Sequence, residues 1–187
     1  MSRARAFVVP ITALAILATV PARADTIHMY SYDPADAETR AAAGPLTFTF
    51  RRALLHITLL NLRSTVAEAT AYLRPAGDAA LGQGGLARLI GGQAAQRALY
   101  EIQPAAEGAA FVAALCPGSK RGWMAFGPLR SFGDLRVQVL GDAPGGGAAH
   151  LCHTLNFNFH GEWKLPPGRP IDPRDLEQSR YPGGGIG

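Results

Sequence analysis

The sequence predicts an α+β fold: a largely antiparallel sheet of about seven or eight strands with one packed helix, short helical segments and a single disulfide. Three observations point there. Short β-prone runs recur between Gly, Pro and Asp punctuation, the connections in the last third are too short for parallel crossovers, and only Glu107 to Cys116 has the length and spacing of a packed helix.

In chain order, Ile27 to Tyr32 reads as a strand, and Asp33-Pro34 as the N-cap and first-turn proline of a small helix ending near Ala42, before Gly44-Pro45. Leu46, Phe48 and Phe50 alternate with Thr47, Thr49 and Arg51, the period-2 pattern of a half-buried strand. Ala53 to Leu62 is apolar on both parities, so it is expected to lie centrally with both faces covered. Val66 to Arg74 is a further strand, Leu86 to Ile90 a short helical segment hemmed in by glycines, and Leu99 to Gln103 a strand ended by Pro104. Glu107 to Cys116 is acidic at its start, places Phe111, Val112 and Leu115 on one face, and stops at Pro117-Gly118. Trp123 to Phe126, Leu135 to Leu140 and Leu151 to about Trp163 complete the sheet as a meander.

Residues 1–24 read as a cleaved signal peptide. Arg3 and Arg5 precede an uncharged run from Ala6 to Val20, and Ala22-Arg23-Ala24 is a small-x-small cleavage site that leaves Asp25 as the new N-terminus. The run is too short and too interrupted by Pro10 to cross a bilayer, and no later stretch is apolar for long enough. A single domain over 25–165 and a disordered Pro/Gly-rich tail over 166–187 account for the rest. The expected location is periplasmic or secreted. Lysine occurs only at Lys120 and Lys164 amid abundant Ala, Gly and Arg, the codon usage of a GC-rich bacterial genome.

The sequence pI of 9.4 overstates the basic character, because Arg3, Arg5 and Arg23 leave with the leader and the remainder is nearly neutral. No Lys/Arg stripe lies along one element to follow phosphates, which argues against nucleic acid as a partner. Cys116 and Cys152 are the only cysteines; in an oxidising compartment an even pair predicts a structural disulfide, and C-x-x-C redox spacing is absent.

The chemistry-bearing motifs are sparse. Gly82-Gln83-Gly84-Gly85-Leu86-Ala87 matches a dinucleotide fingerprint in letters but lacks the strand that must precede it, so no cofactor is expected. The five histidines are dispersed without ligand spacing, which predicts no metal site. The last strand carries the one candidate surface. Its odd positions Leu151, Leu155, Phe157, Phe159, Trp163 and Leu165 are apolar, interrupted only by His153 and Gly161, whereas Asn156, Asn158, His160 and Glu162 are among the even positions and define a polar face. Glu162 orienting His160 would suit proton transfer or ligand binding, against the ordinary solvated face of an antiparallel sheet. Trp123 and Trp163, with apolar flanks, are expected in the core. With no catalytic signature, the leading expectation is a non-enzymatic protein that binds a protein or small-molecule partner or serves the envelope. Two other readings stay open: a small secreted hydrolase using His160 and Glu162, and a carrier of a small apolar ligand inside a curved sheet.

Overall fold

The computed structural model describes residues 26–52, 57–145 and 147–165; the leader, its Ala24/Asp25 cleavage site and the tail lie outside the described residues. Eight antiparallel strands follow one another in chain order and close into a barrel: β1 (Ile27–Pro34), β2 (Leu46–Arg52), β3 (Ile57–Ser64), β4 (Ala69–Pro75), β5 (Ala98–Ile102), β6 (Gly122–Phe126), β7 (Leu135–Ala143) and β8 (Gly147–Leu165), with β8 pairing back onto β1. The strand number and antiparallel pairing agree with the sequence; closure is what the α+β expectation lacked. Closure joins the first strand to the last, so the sheet has no edge strand.

Alternation along each strand sends one set of side chains into the barrel. Tyr30, Tyr32, Phe48, Phe50, Phe126 and Phe157 are all essentially inaccessible there, several in edge-to-face contact, so the interior is filled by rings. Outward positions such as Arg51, Tyr72, Arg74, Arg136 and Asn158 are exposed. Apolar inside and polar outside is the inverse of the pattern a barrel presents to lipid. No helix among the described residues is long and apolar enough to cross a membrane.

The two ends of the barrel are built differently. At one end α1 (Ala37–Ala42) follows β1, and α3 (Gly108–Leu115) links β5 to β6. Phe111, Val112 and Leu115 of α3 join the interior core, the face the sequence indicated. Inward-facing Gly122 and Gly141 make room for them: a Cβ on Gly122 would come within 2.7 Å of Val112, and one on Gly141 would overlap the Cys116 sulfur. The predicted Cys116–Cys152 disulfide is present, with Cα atoms 5.5 Å apart, and ties the end of α3 to β8 across a 36-residue separation. The opposite end, the mouth, is formed by the starts of β1 and β7, the ends of β2 and β8 and the β6–β7 loop.

Four local expectations are corrected. β1 runs on through Asp33 and Pro34, and the cap of α1 is Asp36, whose carboxylate accepts the Thr39 N–H at 2.7 Å. The backbone bond from Thr39 and the side-chain bonds from Asn156 and Thr39 hold that carboxyl below its usual range. β3 is not covered on both faces, since Ile57 is 39% exposed; the strand that is so covered is β6, where all five residues are buried. Its outer face, Trp123 and Ala125, lies with Leu99 and Leu140 beneath Leu81 and Leu86 of the β4–β5 connection, which contains α2 (Gly85–Ile90). β4 begins at Ala69 rather than Val66, with Val66 exposed in the preceding turn. Trp163, unlike Trp123, is only half-buried and stacks on His160.

Candidate functional site

The site at the mouth is created by a register shift in β8. Leu155, Phe157 and Phe159 point inward as the odd-position pattern requires, but Tyr32 pairs with Phe159 while Ser31 pairs with Gly161, so His160 is an extra residue bulged out of the ladder. Beyond the bulge the parity reverses. Glu162 sits opposite Tyr30 and Lys164 opposite His28, facing the barrel, whereas Asn158 and His160 stay outside.

The four residues of the candidate polar face therefore separate. Asn156 holds α1, its amide donating to Asp36 at 3.1 Å and its backbone N–H to Thr39 Oγ1 at 3.0 Å. Asn158 is exposed, His160 pairs with Asp33 on the outer surface, and Glu162 has moved to the other face. His160 and Glu162 line one cleft but share no hydrogen bond, His160 bonding Asp33 and Glu162 bonding His28 and Ser131.

Glu162 instead terminates a chain of hydrogen bonds. His28 Nδ1 donates to its Oε1 at 2.8 Å and Ser131 Oγ to its Oε2 at 3.0 Å. Ser131 has spent its one proton on the carboxylate, so the Tyr30 hydroxyl must donate to Ser131 at 2.7 Å; Tyr30 in turn accepts from Arg52 at 3.1 Å. Every donor in the chain points toward the carboxylate. Burial alone would raise the Glu162 carboxyl, but the bonds from His28 and Ser131 and the Lys164 charge outweigh it and hold the group below its ordinary value. His28 is itself buried and stacked on Phe50, centroids 5.5 Å apart.

This network anchors the β6–β7 loop to the barrel through Ser131, and the next residue is the most exposed large apolar side chain among the described residues. Phe132 is 90% exposed and has φ +60°, a left-handed backbone that costs a non-glycine residue about 1–2 kcal/mol. Its ring lies 5.5 Å from that of Phe159. Between them and β8 opens a cleft of about 650 Å³ lined by Phe132, Phe159, His160, Gly161, Glu162 and Lys164. Lys164 is exposed and has no ion-pair or hydrogen-bond partner among the described residues, and exposed Arg130 precedes the anchored serine.

The arrangement favours binding over bond-making. A serine nucleophile needs its proton taken by a base, usually an imidazole, but Ser131 donates to the carboxylate that stands between it and His28. A carboxyl held below its ordinary pKa is also a poor proton donor at neutral pH. At the other end, His150 Nε2 lies 3.6 Å from the Cys152 sulfur and 3.9 Å from that of Cys116, but a disulfide offers no thiolate to a metal.

Sequence reasoning missed His28, Tyr30, Arg52, Ser131 and Phe132. One signal was available: a glycine interrupting a strand pattern marks a bulge, and Gly161 is that glycine. His153, the other interruption, adjoins the second register shift of β8, at Val139/Leu140. The chain matches no protein-family model, no curated protein and no solved structure.

Proposed function

We propose that the protein is an exported, non-enzymatic binding protein whose contact surface is the barrel mouth. Phe132 carries this reading: a large apolar ring held in solvent, on strained backbone, by a part-buried polar network is costly for folding alone and useful for contact. The leader and the disulfide support export to an oxidising compartment. The ring-filled interior favours the mouth over the lumen as the place of contact.

The test places a photo-crosslinking p-benzoylphenylalanine at position 132 and, as control, at the exposed outer-wall position 72. Adducts are expected from 132 and not from 72 in cells that export the protein. Equal yields from both positions, or none, would overturn the reading. N-terminal sequencing of the exported material should begin at Asp25, and a retained Met1 would overturn the export part.

A further inference from the structure

We propose that the ligand of the mouth is a single-chain anionic amphiphile, its acyl chain against Phe132 and Phe159 and its carboxylate or phosphate on Lys164. This rests on the mouth being the contact surface and adds the chemical class.

The cleft presents three kinds of group. Its apolar wall is the tilted pair of rings, Phe132 and Phe159, which suits a flexible hydrocarbon chain. Its acidic group, Glu162, already accepts from His28 and Ser131, so a cationic ligand would have to compete for an occupied carboxylate and approach Lys164 as well. The Lys164 ammonium acts on Glu162 through its charge but makes no hydrogen bond or close ion pair among the described residues, so its donors are open to a ligand, and the exposed Arg130 guanidinium stands two residues before Phe132. Arg52, also exposed, completes a basic rim through its bond to Tyr30. At about 650 Å³ the cleft falls within the range of roughly 300–1,000 Å³ common to small-molecule sites.

The experiment titrates the mature protein at pH 7 with dodecanoate and with dodecyl phosphate, both below their micellar concentrations, and follows backbone amides by NMR. Controls are dodecyltrimethylammonium, acetate, inorganic phosphate, and vesicles of phosphatidylcholine with or without phosphatidylglycerol. Saturable 1:1 shifts of residues 130–134 and 159–164 are expected with the two long-chain anions and not with acetate or phosphate alone. Lys164→Glu is expected to weaken binding about tenfold or more and Phe132→Ala about five- to tenfold, while Tyr72→Ala changes nothing. All three positions are exposed, and an amide spectrum unchanged outside the mouth is the check that each variant keeps the fold.

If dodecyltrimethylammonium shifts the same amides as strongly, or if only vesicles bind, the assignment to a single-chain anion is overturned while the mouth remains the contact surface. If no amphiphile binds but position 132 still gives specific adducts, the ligand class is wrong and the mouth reading survives. If neither occurs, both fall.

Discussion

The α3 end of the barrel and its mouth use the same strands to opposite purposes. At the α3 end the interior is closed off: the Ser64 hydroxyl donates to the Ala43 carbonyl at 2.6 Å, and Phe111, Val112 and Leu115 fill the space above the inward glycines. The disulfide then fixes that end in place. At the mouth, buried His28 and half-buried Glu162 support a loop that leaves Phe132 in water. One end is arranged to remove apolar surface, the other to display it.

The comparison is broken most strongly by cutting the interior that joins the two ends. Phe157→Ala, at a 1% exposed position, is expected to destabilise by about 3–5 kcal/mol in denaturant unfolding, as other large-to-small core changes do. A loss under 1 kcal/mol would mean the interior is not packed as described. Removing the disulfide with paired Cys116→Ala and Cys152→Ala changes should cost about 2–4 kcal/mol, with the melting temperature falling and mouth binding retained. Loss of binding in that variant at temperatures where it is still folded would show that the ends are coupled.

Glu162→Gln sharpens the comparison at the mouth. It keeps the shape, removes the charge and should cost about 1 kcal/mol at pH 7, discounted for a group partly open to solvent. The pH dependence has a definite sign. The folded-state carboxyl lies below its ordinary value of 4.5, so its stabilisation is fully present above that value and is lost as the pH falls through the lower folded value. The gap between the parent and Glu162→Gln should therefore close in acid; a gap that widens below pH 4.5 would contradict the network.

The smallest effect on stability is expected at the most exposed residue. Phe132→Gly relieves a φ of +60° and should leave stability unchanged or raise it by up to about 1 kcal/mol, while weakening contact at the mouth. A loss of more than 1 kcal/mol would show that the Phe132 ring belongs to the core.

Much of the barrel was legible because strand alternation is a local property. Phe48 and Phe50, or Leu155 and Phe157, declare a buried face whatever they face. The α3 helix was legible for the same reason, its apolar residues falling at helical spacing. The candidate site was less so. Even positions of β8 share a face only while the register is unbroken, and the extra residue at His160 exchanged Glu162 for solvent-facing Gly161 and Trp163. Asn156 shows the reverse case: its outward direction was read correctly, but its bonds to Asp36 and Thr39 depend on a helix 120 residues away in the chain.

The sequence by itself determined the strand periodicity, the helix that packs at one end, the pairing of its two cysteines and the absence of a local catalytic motif, because each of these is set by neighbours within a few residues or by simple count. Closure of the sheet, the reversal of parity at His160 and the joining of His28, Tyr30, Ser131 and Glu162 were decided by the tertiary structure alone. Those contacts link the first strand to the last, and it is the closing of the β1–β8 seam that sets which residues meet across it.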